Sequence, residues 1–200
     1  MKTSIKALIA IVLTSFTLTA AASNKLTVLN EIKEVNKINV SGNVELILVQ
    51  SNAESVQVYN DYYSSNALVQ SKNGSLNISS FEKEKLTVVV NVKNVTNITA
   101  TDDVTISSFG KLSFLSLDLK LKDNAKANLN LLTVNLTSQV KGNAALSLEG
   151  MSLNHTANVQ NLANVNLTKF DSEKTSFQSS NIKIAQNGGL EEVNTIQLGK

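Results

Sequence analysis

The chain has 200 residues, 18 basic and 16 acidic, and a single histidine. Arginine is absent, and two of the 18 lysines lie in segment 1–22, so the remainder carries 16 lysines against 16 acids. Because nucleic-acid recognition usually uses guanidinium forks and basic patches, this composition argues against a nucleic-acid partner. Cysteine is also absent, which excludes disulfides, and one histidine argues against a transition-metal site. We expect no cofactor.

Segment 1–22 has the pattern of a secretory signal. A lysine-containing start precedes an apolar run over residues 7–18, and the small residues Ala20–Ala22 follow it. A membrane anchor is the alternative, but the run is short for the ~30 Å of hydrocarbon in a bilayer. We expect cleavage before Ser23, leaving one domain over 23–200 with no membrane span in the mature chain.

From Leu26 onward the apolar residues alternate with polar ones at period two, which is typical of half-buried strands. Asn73-Gly74-Ser75 predicts a turn between two of these strands. No segment after Ala22 sustains a helical apolar face. The sequence therefore predicts an all-β protein.

A turn followed by a strand recurs about every twenty residues. The units are Ser41–Leu48, Thr101–Ile106, Lys122–Leu129, Lys141–Leu148 and Gln160–Leu167. Aligning them gives a column of small and branched apolar residues with spacings of 21, 19 and 19: Val104, Ala125, Ala144 and Ala163. Two residues further on stand Ile106, Ala127, Leu146 and Val165. A second column, spaced 21, 21 and 19, is Ile98, Leu119, Val140 and Val159.

Such columns predict a coil of parallel strands in which each rung of about 20 residues buries its apolar side chains against the next. A β-sandwich of hairpins is the alternative, although hairpins do not require columns to keep their register. The turns contain glycine, asparagine and aspartate, which tolerate left-handed backbone conformations. We expect the asparagine side chains to hydrogen-bond from rung to rung.

The segments Ile38–Gln50, Ser55–Val58 and Asn73–Ile78, and the repeated units up to about Gln186, resemble the GIN-domain family. This family is also called the putative auto-transporter adhesin head domain, or domain of unknown function 2807. The resemblance implies a right-handed parallel β-helix and export to the periplasm or cell surface of a Gram-negative bacterium. It carries over no catalytic residue. The family favours Gly-Ser-Gly-Asp turns, which this chain lacks, so we expect the later rungs to be less regular.

Two polar columns beside the core predict a flat face of short hydrogen-bonding side chains that could bind a glycan or an envelope protein. The columns are Thr105, Lys126, Ala145 and Asn164, then Ser107, Asn128, Ser147 and Asn166. An ordinary solvated sheet face is the alternative. A tyrosine cluster, Tyr59, Tyr62 and Tyr63, predicts either a second binding feature or a cap of aromatic rings at the end of the coil.

Asp102, Asp103 and Asp123 lie at the turns and could bind calcium or act as acid and base on a glycan. The alternative is that these turn acids accept hydrogen bonds from backbone amides at the corners. His155 would have to serve any catalytic triad, but no G-x-S-x-G motif accompanies it, and we expect it to be solvated. The sequence thus favours a non-enzymatic binding protein. A carbohydrate-active enzyme and a purely structural envelope protein remain alternatives, and the oligomeric state is left open.

Overall fold

The computed structural model describes residues 26–29, 32, 34–59, 67–179, 182–186 and 189–193. Across these residues the protein consists of strands and their connections without a helix, so the all-β prediction is confirmed. The predicted signal, residues 1–22, lies outside the described residues. The strands of the described chain form one 14-stranded sheet. They are β1 (Leu26–Leu29), β2 (Lys37–Ser41), β3 (Val44–Gln50), β4 (Ser55–Tyr59), β5 (Ala67–Lys72), β6 (Ser75–Ser80), β7 (Leu86–Val92), β8 (Asn97–Ala100), β9 (Thr105–Leu121), β10 (Lys126–Val140), β11 (Ala145–Val159), β12 (Asn164–Ser179), β13 (Ile182–Gln186) and β14 (Gly189–Val193).

The four long strands β9 to β12 pair in parallel at the offsets that the sequence predicts. Thr105 pairs with Lys126, and Lys126 pairs with Ala145 on its other side. Ala145 in turn pairs with Asn164. These pairs reproduce the spacings of 21, 19 and 19 in the aligned repeats. Equivalent residues of successive strands therefore stand side by side.

This register places apolar side chains in a continuous buried column. Ile106, Ala127, Leu146 and Val165 are each at most 1% exposed, and the first half of the sheet extends their column with Leu46 and Val88. Burying one such valine, leucine or isoleucine contributes about 1.5–3 kcal/mol relative to leaving it in water. No strand could bury this face alone, so stacking stabilises every strand at once.

The second predicted column is wrong at one junction. Leu119 pairs with Ser138, whereas Val140 pairs with Leu121 and Val159. The prediction joined Leu119 to Val140 because Ser138 is polar, yet Ser138 is fully buried in the core. Because Ser138 is polar, the predicted alignment of β9 with β10 is displaced by two residues from the observed one at this position.

The later strands are irregular at two places, the register shifts between β9 and β10 and between β11 and β12, and the antiparallel pairs lie at the ends of the sheet. β1 pairs with β4, β4 with β7 and β5 with β6, all antiparallel, and β13 pairs antiparallel with β14. β10 and β11, by comparison, pair in parallel from Lys126 to Val140 without a register shift. Loss of the family's glycine-rich turns is tolerated because aspartate and asparagine adopt the same left-handed backbone.

The stacked corners show how this works. Asp102, Asp123 and Asn161 have φ angles of 63°, 60° and 64° at equivalent turn positions. The side chain of Asn124 donates to Asp103 Oδ1 at 3.0 Å and accepts from Asn143 Nδ2 at 3.4 Å. The predicted hydrogen bonding from one corner to the next is confirmed for these residues.

Gly150 and Gly110 provide a matched test of the close approach between strands. Both have positive φ, +106° and +79°, so alanine at either site costs about 1–2 kcal/mol in backbone conformation. A Cβ on Gly150 would stand 2.1 Å from the carbonyl oxygen of Leu131, whereas a Cβ on Gly110 would meet nothing within 4 Å. We expect Gly150→Ala to lower the free energy of unfolding by about 1–3 kcal/mol more than Gly110→Ala in urea denaturation. Equal losses would contradict this packing.

Candidate functional site

The two predicted polar columns exist as continuous rows across β9 to β12. Thr105, Lys126, Ala145 and Asn164 are register neighbours, and so are Ser107, Asn128, Ser147 and Asn166. Lys126 and Asn164 are exposed and Thr105 is half-buried. The sequence thus identified which residues share the outer face, but only the second row contributes to a concave site.

Tyr59 belongs to the same face but lies away from this site. It pairs with Thr87, which pairs with Glu45, and Glu45 pairs with Thr105, so two strands separate Tyr59 from β9. Its hydroxyl donates to Gln57 Oε1 at 2.9 Å. Tyr62 and Tyr63 lie outside the described residues, and their predicted role stays a prediction.

Two bulges interrupt the otherwise regular register and raise walls on this face. Between Ser107 and Lys111, β9 places three residues opposite the single Leu129 of β10. Between Asn166 and Lys169, β12 places two residues opposite the single Leu148 of β11. The extra residues have no one-to-one partner in β10 or β11, although Ser108 and Phe109 still pair with β3 and Leu167 pairs with β13, and such a bulge bends the strand that carries it.

The result is a groove of about 430 Å³, here called the bulge groove. Its floor comes from β10 and β11 and its walls from the bulged segments of β9 and β12. The polar lining side chains are Ser108, Asn128, Asn130, Ser147, Glu149, Asn166, Thr168 and Lys169. Three residues of the predicted second row, Asn128, Ser147 and Asn166, are therefore brought together, whereas Lys126 and Asn164 are not part of the lining.

Hydrogen bonds hold both walls in place. The backbone amide of Asn130 donates to Ser108 Oγ at 2.9 Å, which ties the β9 bulge to the floor. On the other side, the backbone amide and hydroxyl of Thr168 donate to Asn166 Oδ1 at 3.0 and 2.8 Å. Asn130 Oδ1 is buried and has no hydrogen-bond partner.

Phe109 lies in the chain between the lining residues Ser108 and Gly110 without lining the groove itself, and it is 75% exposed. Sequence reasoning missed it, and also missed Asn130, Thr168 and the wall itself. The available signal was the spacing of 21 in the first repeat against 19 in the next two, which implied two extra residues without locating them. An exposed aromatic ring beside polar groups is a recurrent feature of binding surfaces.

The corner acids are engaged in the turns. Asp102 Oδ2 accepts from the amide of Gly42 at 3.0 Å, and Asp123 Oδ2 accepts from the amide of Asp102 at 3.5 Å. Asp103 Oδ1 accepts from Asn124. These contacts fit the alternative in which turn acids satisfy corner amides. Nowhere in the described chain do three or more His, Asp or Glu side chains form a group suited to a metal ion.

His155 is buried rather than solvated, so that prediction is wrong. Its ring is 1% exposed, and Nε2 lies 2.8 Å from Ser138 Oγ. Phe170 and Phe177 pack against it in T-shaped arrangements, with ring centroids 5.6 and 6.3 Å away. Burial lowers the pKa of His155 from 6.5 to about 4. His155 is therefore a neutral side chain of the core and does not have the solvent access of a catalytic base.

The fold and site define a class: an all-β protein of stacked parallel strands with a polar groove on its outer face. The chain belongs to the family described as "putative auto-transporter adhesin, head GIN domain", whose model matches residues 34–186. No curated protein matches it in sequence. In the described residues, no helix has the length and apolar character to cross a membrane.

Several solved structures are similar. A putative adhesin from Bacteroides fragilis shares 18% identity at a TM-score of 0.69, covering 82% of this chain and 79% of that one. Putative adhesins from Parabacteroides merdae and Parabacteroides distasonis share 11% and 16% identity at TM-scores of 0.62 and 0.59. The former covers 81% of this chain and 79% of its own, and the latter 78% and 79%. At these identities the similarity establishes the fold.

The buried histidine predicts a specific pH dependence of stability. Below pH 6.5 the unfolded chain protonates His155, but the folded chain does not until about pH 4. The free energy of unfolding therefore falls as pH drops through this window, by about 3 kcal/mol from this group. His155 stands in register with Leu136, and Leu136 with Leu117, so leucine fits this column. In His155→Leu, the decrease in the free energy of unfolding between pH 6.5 and about pH 4 should be smaller by this amount. Urea denaturation of both proteins at several pH values between about 4 and 7 measures it, and parallel pH profiles would contradict the assignment.

Proposed function

We propose that the protein is an exported, non-enzymatic envelope protein that binds a neutral glycan in the bulge groove. The observation that carries the proposal is a groove lined by amides and hydroxyls, with the exposed residue Phe109 in the chain between two of its lining residues, Ser108 and Gly110. A sugar ring has an apolar face of C–H groups and a rim of hydroxyls. An aromatic ring suits the face, and asparagine side chains, which both donate and accept, suit the rim.

The charge of the groove supports a neutral ligand. Glu149 and Lys169 are its charged lining residues, and they are register neighbours on β11 and β12. Their opposite charges offset one another, so the groove carries no net formal charge. Its volume of about 430 Å³ lies within the range of about 300–1,000 Å³ for small-ligand sites.

Membership of the adhesin-head family and the similarity to solved structures described as putative adhesins support binding at a bacterial surface. The signal-like pattern of residues 1–22 supports export to the periplasm or cell surface. Fold similarity alone does not assign a ligand, so the glycan rests on the chemistry of the groove.

A carbohydrate-active enzyme is less well supported, because the corner carboxylates already accept hydrogen bonds from the turns. Asp103→Asn keeps an acceptor for Asn124. We therefore expect this variant to bind glycans as the parent does and to unfold at nearly the same temperature, with no glycan cleavage by either protein. Cleavage by the parent that disappears in the variant, with folding intact, would support the enzyme instead.

An envelope protein is the second candidate partner, and one observation favours it. Leu115, Leu132, Met151 and Leu153 are all 39% or more exposed on β9, β10 and β11, and exposed apolar patches are typical of protein interfaces. Binding to a purified envelope protein that is lost in Leu132→Asp and kept in Phe109→Ala would favour this candidate over the glycan.

The finer fold prediction, a right-handed parallel β-helix, is also a proposal. The parallel pairs among β9, β10, β11 and β12 and their near-constant offsets support it. A crystal structure in which these strands follow a right-handed path would agree with it. Hairpin connections between β9 and β12 would overturn it in favour of a sandwich.

Phe109→Ala tests the glycan site, and Phe81→Ala is its matched control. The two residues are 75% and 74% exposed, but Phe109 adjoins the lining residues Ser108 and Gly110 in the chain, whereas Phe81 adjoins no lining residue. Removing the stacking ring should weaken binding of a neutral oligosaccharide about tenfold, because burying an aromatic ring contributes about 1.5–3 kcal/mol. A panel of neutral envelope and host glycans, read first by thermal shift and then by calorimetry, provides the measurement.

Equal weakening in Phe81→Ala would show that general surface hydrophobicity, and not the groove, binds the glycan. Asn128→Ala gives a second readout on the groove floor, where the amide would contact hydroxyls. No binding of any neutral glycan by the parent protein would reject the proposed function.

A further inference from the structure

A second and smaller groove lies at the corner where β9, β10 and β11 reach their ends. It has a volume of about 220 Å³ and is here called the lysine groove. The side chains that matter for its chemistry are Lys120, Lys122, Lys141, Gln139, Asn158 and Gln160. None of them lines the bulge groove, which lies elsewhere on the sheet.

The parallel register brings two lysines together here. Lys122 and Lys141 both precede a corner turn, and their amides donate to Ala100 and Leu121 of the preceding strands at 3.0 Å. They occupy equivalent positions in successive repeats, so their backbones are one strand spacing, about 4.8 Å, from each other. Both lysines line the same groove, so their like charges repel unless an anion or solvent compensates them.

The neighbouring acids do not provide that compensation in full. Lys120 Nζ forms an ion pair with Asp118 Oδ2 at 3.1 Å. In the described part of the chain, neither Lys122 nor Lys141 forms a salt bridge. Asp123, which follows Lys122, directs its Oδ2 to the amide of Asp102 at 3.5 Å. Two ammonium groups therefore remain available at the mouth of the groove.

The rest of the lining is neutral and polar. Gln160 Nε2 donates to Asn158 Oδ1 at 3.0 Å, which orients both amides, and Gln139 pairs in register with Asn158. The groove is smaller than the sites of about 300–1,000 Å³ that enclose whole ligands. Its size suits one charged group and the ring that bears it.

We propose that the lysine groove binds a single oxyanion, a phosphate, sulfate or carboxylate, carried by a carbohydrate. Lysine recognises such groups as a mobile point charge with three donors, without the bidentate geometry of arginine. The three amides match the hydroxyls of the sugar that carries the anion. Anchoring to an anionic lipid would need exposed apolar side chains that enter the membrane surface. Among the described residues near this corner, the large apolar side chain that is exposed is Leu162, which favours a carbohydrate over a lipid as the carrier of the anion.

The site is independent of the proposed neutral-glycan site, and the test keeps the two apart. The probes are sodium sulfate, sodium phosphate, a galacturonate oligomer and phosphatidylglycerol vesicles, each titrated against the folded protein. The test variant is Lys122→Gln combined with Lys141→Gln. The control is Lys83→Gln combined with Lys85→Gln, which removes the same charge from two exposed lysines elsewhere. Phe109→Ala serves as the control for the other groove.

We expect sulfate, phosphate and the galacturonate oligomer to bind the parent, the control and Phe109→Ala alike. Binding should weaken about tenfold or more in the Lys122/Lys141 variant and should fall steeply with added sodium chloride. Equal binding by the test and control variants would overturn the site. Binding to vesicles but not to the oligomer, lost in the test variant, would overturn carbohydrate as the carrier.

Discussion

The side-by-side placement of equivalent residues in parallel strands is the constraint on which the rest of this structure depends. Once Ile106 stands beside Ala127, and Ala127 beside Leu146, the identity of every outward neighbour follows. Inward columns must be apolar and fit one another in size, because a strand buries its face only against the next strand. The corners must accept left-handed backbone, which aspartate, asparagine and glycine provide.

Function in this account comes from departures from that register. A perfectly regular stack would present a flat outer face, and flat faces hold ligands poorly. The extra residues after Ser107 and after Asn166 have no one-to-one partner in β10 or β11, and the residues Ser108, Gly110 and Thr168 among them line the groove. Regular stacking contributes in a different way at the lysine groove, where it aligns Lys122 with Lys141 and concentrates positive charge.

The sequence was sufficient to predict the all-β class, the offsets of the long strands and the two polar rows. These follow from local alternation and from spacing, which a linear pattern contains. The alignment of the second apolar column is wrong at Ser138, because a polar residue that points into the core cannot be recognised without knowledge of its partner strand. His155 was misjudged for the same reason, because only the folded chain shows Ser138 and two phenylalanine rings around it.

The groove could not be predicted because it depends on where surplus residues leave the ladder. A spacing of 21 instead of 19 reveals that two residues are extra, but Thr105–Leu121 offers several places for them. Gly110, with φ of +79° and free space around it, marks the place only after the backbone is known. In the sequence pattern, Phe109 therefore cannot be distinguished from the other apolar residues of a strand, although it is exposed in the structure.

Mapping amide chemical-shift changes by NMR during titration with a neutral oligosaccharide tests whether the two bulges create the binding site. The account predicts that the perturbed amides cluster on the two walls and the floor, over 108–110, 128–130, 147–149 and 166–169, and that the rest of the outer face is unaffected. Changes spread along the flat rows, or centred on another face of the protein, would contradict the claim that the bulges create the binding site.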